Sequence, residues 1–137
     1  MTRKIIITGA LFGLISIVLG AFGAHGLKNL ISSDSIQTFE TGVKYQMYHA
    51  LLLLFIANTN YISQKTKTII FYLILVGTIF FSGSIYALAT NTLSSFNFKT
   101  IGFITPIGGM FLILAWGLML IAFLKNSQNK QSFKENN

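Results

Sequence analysis

The chain has no cysteine, a single proline and only three acidic residues in 137 positions. The lack of cysteine excludes disulfides, thiolate metal sites, thiol redox chemistry and a lipid anchor carried on sulfur. Charged residues amount to 9% of the chain, whereas soluble domains carry about 25%. What fills the space is apolar: 53% of the residues are hydrophobic. They gather in four uncharged runs over residues 5–24, 45–62, 68–89 and 100–124. An α-helix needs about 20 residues to cross about 30 Å of hydrocarbon, and the runs bracket that length. The pattern predicts an all-α integral membrane four-helix bundle over residues 1–124, followed by a disordered polar tail over 125–137. A polar side chain inside such a run needs an explanation; an apolar one does not.

The net charge of +7 does not point to nucleic acid, because the basic residues stand at the ends of the runs rather than on one face. Arg3, Lys4, Lys65, Lys67, Lys125, Lys130 and Lys134 fall on one side of the predicted bundle, and Lys28, Lys44 and Lys99 on the other. The positive-inside rule then puts both termini in the cytoplasm, with anionic lipid headgroups as partners of the basic ends. The first run begins with basic residues and ends in small ones, Ala21, Gly23 and Ala24. It exceeds the roughly 7–15 apolar residues of a signal peptide, so it is expected to stay as a helix.

Gly9, Gly13, Ser16, Gly20 and Gly23 recur at spacings of four and three, which places them on one helix face. Small residues let helices approach closely in lipid. The stripe is expected to seat a helix of the same chain, with a homodimer contact as the alternative. Between the first two runs, Asp34 and Gln37 match a capping box, with Ser33 as a second candidate cap. Ile36, Phe39, Val43 and Met47 then repeat at helical spacing. This predicts one helix over about residues 34–58, whose first turns, 34–44, lie at the outer headgroup level. Pro106, Gly108 and Gly109 predict kinked, close packing at the start of the fourth helix.

With that topology, polar residues from four helices fall at similar depth in the outer half. His25 ends the first helix, Tyr45, Gln46 and His49 lie in the second, Ser82, Ser84 and Tyr86 in the third, and Thr105 in the fourth. Tyr45 and Gln46 stand four and three residues before His49, so each pair can share a face. Burying an unpaired Gln or His in lipid is costly, and these groups should face the bundle interior or a cavity. They are candidates for binding a small polar ligand or lipid headgroup, or for handling a proton. The bland reading stands beside this one, since polar residues also hold helices together at about 0.6 kcal/mol per contact. Ser82 and Ser84 are expected to bond their own helix backbone, and Tyr86 and Trp116 to be interfacial or packing aromatics. His25, His49 and Glu40 would make a sparse zinc set, but no spacing requires that they meet. No metal and no cofactor is predicted.

Four segments in order carry a family resemblance: GAFGAHGL at 20–27, FETGVKYQMYHALLLL at 39–54, FSGSIYAL at 81–88 and TPIGGMFLILAWG at 105–117. The chain resembles the small four-helix membrane proteins of domain of unknown function 423, which include bacterial members and the eukaryotic transmembrane protein 256. The resemblance implies a bacterial plasma-membrane protein and supplies no activity or catalytic residue. Four-span multidrug exporters have a similar size but resemble the chain less, because they use a carboxylate in the first span and this one has none. Three readings follow. The first is binding, with movement across the membrane as an extension, of a small polar molecule or lipid headgroup. The second is an accessory subunit that docks a membrane partner through its glycine faces. The third is an enzyme with His49 as general base, for which no nucleophile or metal set is evident.

Overall fold

The computed structural model describes the backbone of residues 1–135 and side chains through Asn126. It is all-helical over these residues: α1 Thr2–His25, α2 Ser33–Asn58, α3 Gln64–Ala89 and α4 Ile104–Glu135, with short 3-10 turns at Asn91–Leu93 and Phe98–Ile101. α4 runs on through residues 125–135 of the expected tail, whose side chains beyond Asn126 and whose last two residues lie outside what the structure describes.

Local chemistry sets the helix starts. Ser32 caps α2, its side chain accepting from the Ser35 N–H at 3.2 Å. The cap therefore sits one residue before the expected Ser33–Asp34 pair. Ser63 caps α3 in the same way through the Thr66 N–H at 3.2 Å. Such hydroxyls satisfy one of the four donors that a helix start leaves open. The loop between α3 and α4 is tied by Asn91, whose side-chain oxygen accepts from the Phe98 N–H at 2.7 Å.

Three segments are long and apolar enough to cross a membrane: Thr2–His25, Gln64–Ala89 and Phe98–Asn126. α2 differs from them because its first half carries Asp34, Glu40 and Lys44. The uncharged run over 45–62 outlasts the helix, since α2 stops at Asn58, the end expected for it, and a turn follows. Its apolar helical part, residues 45–58, is about 21 Å long at about 1.5 Å per residue.

α2 is the central element. α1 packs on it along the small-residue stripe: Gly9 and Gly13 lie against Ala50, Gly20 against Val43 and Gly23 against Phe39. A Cβ at Gly9 would stand 3.0 Å from the Ala50 carbonyl oxygen. The stripe is thus covered by the chain's own α2. α3 packs on the neighbouring face of α2, with Gln46 reaching both α1 and α3, and α4 packs on α3. Among the described residues α1 and α4 form no extended contact. The extended contacts follow the order of the sequence, and α4 also reaches α2 through Trp116 and His49.

The tightest crossing joins α3 and α4, where a Cβ at Gly108 would lie 2.4 Å from the Phe81 nitrogen and 2.9 Å from the Gly77 oxygen. Pro106 plays no part in it, for its side chain is exposed. It stands in the first turn of α4, where a backbone N–H has no helical partner in any case. No carbonyl is freed and the expected kink has no cause.

The core draws on all four helices: Ile5 and Phe12 from α1, Leu53 and Ile56 from α2, Ile70 and Ile74 from α3, Ala115 from α4. A second cluster of Leu27, Phe39 and Ala89 closes the other end beneath the α1–α2 loop. Outside these, Ile7, Leu14, Ile17 and Val18 of α1 and Met110, Ile113 and Leu120 of α4 are more than half exposed. In water such a surface would be a large apolar patch; in lipid it is the ordinary outer face.

Candidate functional site

The polar side chains of the four helices do not form one cluster. They divide into an interhelical clasp and a separate pair that lines a groove.

Gln46 makes the clasp. Its side-chain nitrogen donates to the Phe12 carbonyl at 2.9 Å, and its side-chain oxygen accepts from the Tyr86 hydroxyl at 2.8 Å. One amide thereby ties α1, α2 and α3. Two serines reinforce it, one from each of the two neighbouring helices. Ser16 of α1 donates to the Val43 carbonyl and Ser82 of α3 to the Gly42 carbonyl, both at 2.8 Å. Ser82 therefore crosses to α2 instead of bonding its own helix as expected. Gly42 makes room for this contact, since a Cβ there would lie 2.7 Å from the Tyr86 ring. Ser84 bonds its own Phe81 carbonyl at 3.0 Å and also meets the Thr105 hydroxyl at 2.6 Å, linking α3 to α4.

His49 stands apart from Gln46. Three residues subtend about 300° on a helix, which is 60° short of a full circle, and at that angle His49 turns toward α4. Its Nδ1 lies 2.7 Å from the Tyr45 carbonyl, and the Trp116 indole N–H points to its Nε2 at 3.3 Å. A carbonyl can only accept and an indole can only donate. The two contacts together fit the neutral ring with its proton on Nδ1. Tyr45 contributes its ring, stacked at 6.4 Å from the imidazole and 4.8 Å from the Phe81 ring.

Their positions along the helices differ: Ser16, Gln46 and His49 lie near the middle of theirs, Ser82, Ser84 and Tyr86 toward the end of α3, and Thr105 in the first turn of α4. Gln46 is at the midpoint of α2 because the helix starts at Ser33, well before the apolar run. His25 is exposed in the last turn of α1, far from the clasp in sequence and partnered with none of it. Among the described residues no three His, Asp or Glu side chains gather as metal ligands, so His25, Glu40 and His49 are not brought together. Glu40 instead pairs with Lys44 at 3.8 Å on the exposed face of α2.

Two openings flank the α2–α3 pair. One, of about 400 Å3, lies between α2 and α4 and is walled by Tyr45, His49, Phe81, Leu112, Ile113 and Trp116. The other, of about 220 Å3, lies between α1 and α3 and includes Phe12, Gln46, Thr78 and Gly83. Phe81 and Gly83 are two positions apart, about 200° around α3, so the openings face opposite ways. Sequence reasoning missed Trp116, Phe81 and Thr78 as site residues. The available signal was a tryptophan near the middle of an apolar run, where an indole N–H needs a partner, instead of at its end. It also missed Lys67, which is buried and donates to the Ala57 carbonyl at 3.3 Å, fastening the start of α3 to the end of α2.

An all-helical chain with three apolar candidate spans, a lipid-compatible outer face and polar groups turned inward is an integral membrane protein. Residues 19–109 match the family model described as Protein of unknown function (DUF423), and the chain belongs to that family. It is 41% identical over 123 residues to a UPF0382 membrane protein of Staphylococcus aureus strain bovine RF122 / ET3-1, covering 90% of this chain and 97% of the relative. To the UPF0382 membrane protein YwdK of Bacillus subtilis strain 168 it is 38% identical over 128 residues, covering 90% and 98%. To the UPF0382 inner membrane protein YgdD of Escherichia coli strain K12 it is 34% identical over 128 residues, covering 90% and 92%. No solved structure matches the chain.

Proposed function

We propose that this is a four-span plasma-membrane protein that binds an amphipathic, lipid-like molecule in the groove between α2 and α4. The observation that carries the reading is the groove itself. It offers about 400 Å3 between walls of Phe81, Leu112, Ile113 and the Tyr45 ring, with the His49–Trp116 pair as its polar feature. Ligand sites have this character, mostly apolar with a few placed polar groups. A fully polar ligand suits it less well, because Gln46, Ser82, Ser84, Tyr86 and Thr105 are already bonded to one another or to backbone. The ligand class is accordingly an apolar body with one hydrogen-bonding group that competes with Trp116 for His49 Nε2.

For orientation, both ends of the chain belong on the cytoplasmic side. Arg3 and Lys4 at the start of α1, Lys65 and Lys67 at the start of α3, and Lys125 in α4 support this. Docking of a partner or a second copy through the glycine stripe gains no support, since α2 covers that stripe. Catalysis by His49 gains none either, with its Nε2 engaged by Trp116.

The test uses Trp116, the only tryptophan in the chain. Protein in detergent is titrated with a brominated fatty acid, and indole fluorescence is followed. Saturable quenching that an unbrominated fatty acid reverses supports the groove as a site. Quenching that rises linearly with additive, as for simple partitioning, contradicts it.

A further inference from the structure

The opening on the other side of the α2–α3 pair has two features that no internal contact explains. The first is Thr78. It is 3% exposed, and its hydroxyl is the one buried side-chain oxygen or nitrogen without a hydrogen-bond partner among the described residues. Threonines in helices ordinarily bond back to the carbonyl four residues earlier. Thr38, Thr41, Thr68 and Thr90 all do so here, at 2.8–3.0 Å. Thr78 does not.

The second is Gly83, which lines the same crevice. A glycine inside a helix is unfavourable relative to alanine and usually marks a close approach. Gly9, Gly42, Gly77 and Gly108 each have such a neighbour, whereas a Cβ at Gly83 or Gly117 would meet nothing within 4 Å, and of these two only Gly83 lines the crevice. The space it leaves belongs to the crevice.

Gln46 adds a third element. It spends one N–H on Phe12 and one lone pair on Tyr86, and an amide has a second of each. No charged residue lines the crevice, and its rim is Ile15 and Ile79, both exposed on the outer face. Access is therefore from the lipid side. An ionised ligand would be buried there without a counter-charge.

We infer that the α1–α3 crevice is a second binding site, taking the end of a neutral membrane-soluble molecule whose hydroxyl or carbonyl group bonds to Thr78. The volume of about 220 Å3 is below that of a drug-sized pocket, so it holds one end of the molecule and not the whole. Gly83 lets the apolar part lie directly on the α3 backbone.

The test uses the full chain in liposomes of phosphatidylethanolamine and phosphatidylglycerol. The probe is dodecanol carrying a diazirine on its chain, beside the corresponding alkane without the hydroxyl. After photolysis, labelled peptides are mapped by mass spectrometry. The expected result is saturable labelling around Phe12, Ile15 and Ile79 by the alcohol, at least fivefold above the alkane. Thr78→Val, which keeps the shape and removes the hydroxyl, should erase that preference. Gly83→Leu, which fills open space without touching the backbone, should remove the labelling altogether while the melting temperature stays within a few degrees of wild type. Equal labelling by alcohol and alkane overturns the inference. So does a Thr78→Val protein that melts higher and labels as before, because the hydroxyl would then be an unpaired group and nothing more. Labelling of the Ile113–Trp116 peptide, read in the same experiment, reports on the α2–α4 groove and separates the fate of one site from that of the other.

Discussion

Gln46 illustrates how one side chain organises three helices. It uses both ends of its amide, and the partners it leaves on removal, the Phe12 carbonyl and the Tyr86 hydroxyl, come from two different helices. Measured interhelical bonds in membranes average about 0.6 kcal/mol, so Gln46→Leu should cost about 1 kcal/mol and Tyr86→Phe about half of that. The two changes share a bond and should not add. Thermal unfolding of the single and double variants in one detergent measures this, and full additivity would show that the bond is absent. At this scale the sequence was informative about residue type and silent about partners. That Gln46 and His49 must face inward follows from the cost of exposing them to lipid. That one meets Phe12 and the other Trp116 depends on contacts 34 and 67 residues away, which no local spacing encodes.

Among the elements, α2 carries the architecture. It is the least apolar helix, yet it supplies a large share of the buried residues, including Phe39, Gly42, Gln46, His49 and Leu53. Neighbours on two sides shield its polar groups, so it needs less apolar surface than α1 or α4. This explains why hydropathy alone does not pick α2 out as a span, although the helix ends at Asn58 as its periodicity predicts. The four helices and the small-residue face of α1 were legible, because length and three-four spacing are local properties. The caps were off by a residue, since Ser32, Ser33 and Asp34 are all competent N-caps. The role of Pro106 was misjudged because a proline in the first turn and one in mid-helix look alike until the helix start is known. The α3–α4 crossing gives an element-scale prediction. Gly108→Ala puts a methyl 2.4 Å from the Phe81 nitrogen, and overpacking of this kind costs about 1–3 kcal/mol. Gly117→Ala meets nothing within 4 Å and should be neutral or stabilising by up to about 1 kcal/mol. Equal melting temperatures for the two variants would show that α4 does not pack on α3 at Gly108.

For the molecule as a whole, the lack of an extended α1–α4 contact among the described residues decides what stays accessible. The clasp around Gln46 takes up Ser16, Ser82 and the Tyr86 hydroxyl, and the α2–α4 groove and the α1–α3 crevice lie on opposite sides of α2 and α3. The ends differ in charge, with Arg3, Lys4, Lys65 and Lys125 at one and Lys28 and Lys99 at the other. A reporter enzyme active only in the cytoplasm should therefore work when fused after residue 137 and fail when inserted in the loop after Ala89; the opposite pattern would invert the topology. The central claim, an amphiphile held between α2 and α4, is tested most directly by native mass spectrometry of the protein released from lipid nanodiscs. Ile113→Trp serves as the comparison, because Ile113 is 72% exposed at the groove and a larger side chain there occupies the groove while the core is untouched. The account predicts a lipid-sized adduct on the wild type that is lost from a variant of unchanged melting temperature. A wild type that emerges bare, or an adduct retained equally by both proteins, would contradict it.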